Sequence, residues 1–179
     1  MARIGLLATA IALSMVTSLA LADEAKDDSQ YQLLVQMKDA KGQSVGVVRL
    51  HETPQGVLMH ADFTGLPKGP HAFHIHEVGK CEPPFDSAGG HYNPDNKGHG
   101  FANAKGAHAG DLPNIHVPES GKVTIEVIAR DVQLRAGNNK LTDGDGSALV
   151  VHASADDNQS DPAGNAGARI ACGVISAEP

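Results

Sequence analysis

The chain has no tryptophan, two tyrosines and four phenylalanines among 179 residues. It carries only two cysteines and no C-x-x-C pair. It has no cluster of basic residues, and its net charge is −7. No segment sustains an apolar period of 3.6, and no internal repeat is present. Each lack excludes something. An acidic chain without a basic stripe or tryptophan is a poor nucleic-acid binder. Past residue 22 no stretch approaches the about 20 apolar residues that a membrane span needs, so the mature chain is not expected to insert into a membrane. Without helical periodicity, strands must carry the core.

What is present begins with a leader. Arg3 gives a weak positive start, Ile4 to Ala22 is short and apolar, and Ala20-Leu21-Ala22 is an A-x-A cleavage site. The charged run Asp23 to Asp28 follows. Residues 1–22 read as a secretory signal peptide cleaved after about Ala22. No cysteine stands beside that point, which excludes lipid attachment there. Residues 23–179 suit one domain with its own core, and losing Arg3 takes the net charge to about −8. In an oxidising compartment Cys81 and Cys172 are expected to form a disulfide. Two soft metal ligands are the alternative. The closed loop of about 90 residues would be worth roughly 4–5 kcal/mol in the chain-entropy model.

Short strands are predicted at Tyr31–Met37, Val45–Leu50, Val57–Phe63, His71–His76, Val123–Ile128, Ala148–His152 and Arg169–Ile175, separated by glycine and proline punctuation. That pattern implies an all-β sandwich or barrel. Two irregular segments interrupt it, one after His76 to about Asn114 and one over 153–168. The Asp143–Ser147 stretch lacks the glutamate of a calcium loop and reads as a turn.

The first irregular segment holds the chemistry. His74 and His76 form an H-x-H pair in an apolar strand, so both rings face one side. His91, His99, His108 and Asp111 follow on a segment with no period of its own. A compact domain seldom keeps so long a loop without a function, and histidine is the commonest metal ligand. With His152 these donors suffice for a tetragonal nitrogen site that suits Cu(II) and a tetrahedral site that suits zinc. Spacing does not say which histidine serves which metal.

The motifs His-Ala-Phe-His-Ile-His-Glu at 71–77, Gly-Gly-His-Tyr-Asn-Pro at 89–94, His-Gly at 99–100, His-Ala-Gly-Asp-Leu-Pro-Asn at 108–114, Val-Val-His at 150–152 and Gly-Ala-Arg-Ile-Ala-Cys-Gly-Val-Ile at 167–175 closely resemble the copper–zinc superoxide dismutases, the exported bacterial branch in particular. The resemblance covers nearly the whole mature chain. It implies a flattened Greek-key β-barrel or sandwich of about eight strands with two long functional loops. It implies a periplasmic enzyme, monomeric or homodimeric, that dismutes superoxide to O2 and hydrogen peroxide by cycling one copper ion, while one zinc ion orients a bridging histidine. Copper would take His74, His76, His91 and His152. Zinc would take His91, His99, His108 and Asp111. His91 and Arg169 would be the catalytic side chains, and Asp156 the carboxylate that joins a copper ligand to a zinc ligand. The pair Cys81–Cys172 would hold Arg169 close. His71 would pin loops, and His51, His60 and His116 would be surface or packing residues.

One feature departs from the animal members, whose second loop carries a guiding lysine. Residues 153–168 contain no lysine or arginine. Lys80, Lys97 and Lys105 are the candidates to guide an anion. The rival function is an exported copper or zinc carrier without turnover, which would need the histidines but not Arg169.

Overall fold

In the computed structural model, Met1 and residues 32–176 are described. The expected leader, Met1 apart, and the Tyr31 start of the first strand lie outside the described residues. Nine strands follow one another among the described residues: β1 (Leu33–Asp39), β2 (Ser44–Thr53), β3 (Gly56–Thr64), β4 (Gly69–His71), β5 (Phe73–His76), β6 (Ile115–Val117), β7 (Lys122–Ala129), β8 (Ser147–His152) and β9 (Arg169–Ile175). Seven form one curled antiparallel sheet in the order β5-β8-β9-β1-β2-β3-β7, and β4 pairs with β6 beside it. The jump from β7 at one edge to β8 near the other makes the Greek-key crossing. No helix among the described residues is long and apolar enough to cross a membrane.

Alternation builds β1, β3 and most of β7. In β1, Leu33, Val35 and Met37 are buried while Leu34, Gln36 and Lys38 face out, as a half-buried strand requires. The core closes over an edge-to-face pair, Phe63 and Phe73, with ring centroids 5.7 Å apart. β8 differs, because all six of its residues are buried. Leu149 and Val151 enter the main core. Ala148 and Val150 join a second cluster with Phe85, Ala88 and Cys172 on the other face. A strand covered on both sides reads as a continuous apolar run.

β5 also has both faces covered, but only one by apolar groups. Phe73 and Ile75 enter the core. His74 and His76 therefore point away from it, opposite Val150 and Ala148 of β8. The first long loop closes over this outward face, with Ile75 N–H donating to the Gly110 carbonyl and Tyr92 N–H to the Ile75 carbonyl.

The single strand expected over 71–76 divides at Ala72. Ala72 N–H donates to the Ser154 carbonyl, and its own carbonyl accepts from His152 N–H. Those bonds turn residues 69–71 away to pair with β6, a strand the sequence pattern does not show. Cys81 and Cys172 are joined as a disulfide, and Asp143–Ser147 turns into β8.

Candidate metal centre

The ring nitrogens on the outward face of β5 can be assigned from their partners. His76 Nδ1–H donates to the Gly89 carbonyl at 3.0 Å. His152 Nδ1–H donates to the Gly167 carbonyl at 3.3 Å. Each ring then presents an unprotonated Nε2, and these two lone pairs face one another at 3.3 Å. His74 Nε2–H donates to Asp156 Oδ2 at 2.8 Å, which leaves Nδ1 buried without a partner. His91 Nε2 is likewise buried and unpartnered. Four lone pairs thus converge, and the four donor atoms lie within 4.8 Å of one another. Buried polar atoms are rarely left unpaired; a cation among them satisfies all four.

A second set shares His91. Asp111 Oδ1 faces His91 Nδ1 at 2.8 Å, His99 Nδ1 at 3.1 Å and His108 Nδ1 at 3.3 Å. One carboxylate oxygen does not accept three good hydrogen bonds, so the cluster is better matched to a divalent ion held by four donors. Asp111 Oδ2 accepts from Gly100 N–H at 2.8 Å and His108 N–H at 3.0 Å, which fixes the carboxylate.

Electrostatics favour neutral rings. Burial lowers His74 to about 4, with the His91 charge acting the same way against the Asp156 hydrogen bond. Burial and His91 lower His76 to about 2. Burial and His74 lower His152 to about 3. His108 is lowered mainly by burial. Burial opposes ionisation of Asp111, but hydrogen bonds from His91 and the Gly100 backbone outweigh it and hold the carboxyl at about 2. Burial likewise opposes ionisation of Asp156, yet His74, His99 and the Asn158 backbone keep it well below the usual carboxylate range. At neutral pH the rings offer lone pairs and the carboxylates offer charge, as metal binding requires.

Asp156 couples the sets. Its Oδ2 takes His74 and its Oδ1 takes His99 Nε2 at 2.9 Å. Such a partner orients both rings. Asn114, which sequence reading gave no role, clamps the Asp156 backbone with two hydrogen bonds of 2.8 Å. Gly164 adopts φ +61°, and a Cβ there would lie 1.8 Å from Asp156 Oδ1, so both backbone and space require glycine. Nothing in residue type or spacing distinguishes these two positions from other loop residues.

A cavity of about 350 Å³ opens onto the first set, touching His76, His91 and His152. Asn93, Asn96, Pro162 and Ala163 contribute to its wall. Among the described residues, Arg169 is the sole lysine or arginine on that wall. Its guanidinium donates to the Phe85 carbonyl at 2.7 Å and the Gly89 carbonyl at 2.6 Å. Burial lowers its pKa against the pull of Asp86, but a guanidinium keeps its charge in any ordinary condition. None of Lys80, Lys97 and Lys105 lines the cavity, and Lys97 lies 3.5 Å from Asp95 and 3.9 Å from Asp131.

The remaining histidines stay apart from both sets. His71 has ring nitrogens 2.8 Å from the His152 carbonyl and 2.9 Å from the Pro67 carbonyl, so it ties the end of β8 to the turn before β4. His60 pairs with Glu126 across β3 and β7. His116 is exposed on β6, and His51 is half-buried on β2.

Comparison with known proteins agrees with this geometry. Residues 44–175 match the family model described as copper/zinc superoxide dismutase. A relative from Aquifex aeolicus named superoxide dismutase [Cu-Zn] 1 is 51% identical over 138 residues, which is 75% of this chain and 82% of the relative. The Escherichia coli superoxide dismutase [Cu-Zn] is 39% identical over 144 residues, 75% of this chain and 80% of that one. Among solved structures, a double mutant of a SOD-like protein from Bacillus subtilis superposes with a TM-score of 0.80 at 43% identity, covering 83% of this chain and 99% of the other. The Brucella abortus Cu/Zn superoxide dismutase gives a TM-score of 0.66 at 33% identity, with 80% and 99% covered. Fold, shared motifs and the paired donor sets lead to one assignment: the chain belongs to the copper/zinc superoxide dismutase family.

Proposed function

We propose that this protein dismutes superoxide, converting two superoxide anions and two protons to O2 and hydrogen peroxide, at the centre built on β5 and β8. The observation that carries the reading is the pair of donor sets sharing His91 beside a cavity whose wall bears Arg169. Copper would be held by His74 Nδ1 and by Nε2 of His76, His91 and His152. Zinc would be held by Nδ1 of His91, His99 and His108 and by Asp111. Bound copper supplies the one-electron couple, and bound zinc a fixed positive charge.

The chain's own groups do the rest. Arg169 attracts the anion and can hydrogen-bond it from the cavity wall. Its two carbonyl anchors keep the guanidinium in place with no anion bound. His91 lines the cavity, and its unpartnered Nε2 can hold a proton for the reduced product. Asp111 and the surrounding rings keep His91 oriented while it does so. The wall carries one acidic side chain, Glu77, whose Oε1 accepts from Gly90 N–H at 2.9 Å. Every donor comes from one chain, so a monomer and a homodimer would each carry complete sites. The disulfide and the family fit an exported protein. We place the mature domain, 23–179, in the periplasm after loss of the leader.

The test is superoxide decay by pulse radiolysis, using protein loaded with one copper and one zinc, beside Arg169→Glu. The loaded protein is expected to accelerate decay in a salt-sensitive manner. Arg169→Glu is expected to be about 100-fold slower at unchanged metal content, within the 10- to 1000-fold range of electrostatic steering that was set in part on enzymes of this family. Tightly held metals with no accelerated decay would instead identify a carrier.

A further inference from the structure

His99 has both ring nitrogens occupied, Nδ1 toward Asp111 and Nε2 toward Asp156. Its side chain is wholly buried. Yet it stands on a loop with no strand or helix to fix its backbone. That restraint comes from the second loop. His99 N–H donates to Asp161 Oδ1 at 2.6 Å. Three residues on, Ala102 N–H donates to the Asn158 carbonyl at 2.9 Å. Gly100 has no room for a side chain, because a Cβ would lie 2.1 Å from that same carbonyl. The second loop therefore grips His99 twice, with Asp156 on its ring and Asp161 on its backbone. A hydrogen bond to an ionised carboxylate is the stronger kind.

We propose that Asp161 is a positioning residue for the second donor set, acting on metal retention through the backbone of His99. This rests on the reading that His91, His99, His108 and Asp111 hold zinc. Asp161 touches no donor atom, so its effect is indirect. Losing it frees the His99 backbone to shift, and the ring leaves the common centre. The same stretch continues into Pro162 and Ala163 on the cavity wall, so one short segment both fixes the donor and shapes the entrance.

Asp157 supplies the control. It accepts from the backbone N–H groups of Gln159 and Ser160 and from Asn165 Nδ2, all within the second loop. Asp157→Ala loosens that loop without removing a bond to His99.

The experiment follows zinc release from the copper- and zinc-loaded protein to a chromophoric chelator. The visible spectrum of Co(II) in the zinc position is recorded in parallel. Asp161→Ala is expected to release zinc about 10-fold faster, the low end for loss of a ligand-orienting partner, and to shift the Co(II) bands. Asp161→Asn keeps an acceptor oxygen and should restore both. Asp157→Ala should match the wild type in both. Should Asp161→Ala fail to fold, Asp161→Gln misplaces the acceptor by one methylene and carries the same expectation. The proposal is overturned if Asp161→Ala holds zinc as the wild type does. It is equally overturned if Asn fails to rescue, or if Asp157→Ala accelerates release as much. A wild type that binds no zinc would sink the underlying site reading instead.

Discussion

The metal-free protein, with its disulfide intact, is expected to lose roughly 4 kcal/mol of stability for each unit that pH falls between about 5.5 and 4. Three histidines produce the slope. His74, His76 and His152 are held neutral in the fold, at about 4, 2 and 3, against an ordinary value of 6.5. The unfolded chain takes a proton on each below 6.5, while the folded chain takes none until His74 titrates. The unfolded state thus binds more protons, and stability must fall with pH. It is fully present above 6.5 and drains away below. Asp111 acts in the same direction at lower pH. Its depressed value means that its contribution is present above 3.8 and lost as pH approaches about 2. A domain of ordinary stability, about 5–15 kcal/mol, should therefore unfold near pH 4. Denaturant melts of chelator-treated protein between pH 7.5 and 4 measure it. A midpoint that stays constant down to pH 4.5 would show that the rings do not stay neutral in the metal-free fold. The loaded protein should withstand lower pH, because acid must first displace the metals.

His152→Ala is expected to cut superoxide turnover more than about 100-fold, since loss of a mere orienting partner already costs 10- to 100-fold in affinity or activity. The substitution removes one ring bond, His152 Nδ1–H to the Gly167 carbonyl at 3.3 Å, but spares the backbone. What fixes the end of β8 is backbone: His152 N–H donates to the Ala72 carbonyl, and the His152 carbonyl meets His71. Neither bond involves the ring. Removing the ring deletes one of four inward lone pairs and leaves the second set intact. Zinc content should be unchanged while the copper electron-paramagnetic-resonance spectrum changes and decay slows. A variant that still turned over at the wild-type rate would remove His152 from the copper site.

How much was readable without coordinates follows from the range of the forces involved. The β1, β3 and β7 alternation is local, and so is the meeting of His74 and His76 on one face. The split at Ala72 is not. It depends on hydrogen bonds to Ser154 and His152, some eighty residues away, and β4 and β6 exist only because the chain turns there. The donor residues stood out because histidines are costly to cluster without a purpose. Asn114, Asp161 and Gly164 did not, because each acts through a contact between two loops that no local pattern encodes. Of the lysines expected to guide substrate, Lys97 lies near Asp95 and Asp131, and none lines the cavity, where Arg169 is the one lysine or arginine among the described residues.

The close approach of Gly164 to Asp156 and His99 constrains how the loop can be re-engineered. A library randomising residues 153–168 to admit a different anion would not be uniformly permissive. Clones should keep glycine at 164 and acid at 156 almost without exception, since a Cβ at 164 would come within 1.8 Å of Asp156 Oδ1. Diversity should gather instead at Gln159 and Ala168, both of which are exposed. New entrance chemistry is therefore more accessible from the first loop, where Asn93 and Asn96 meet the cavity, than from the loop that covers it.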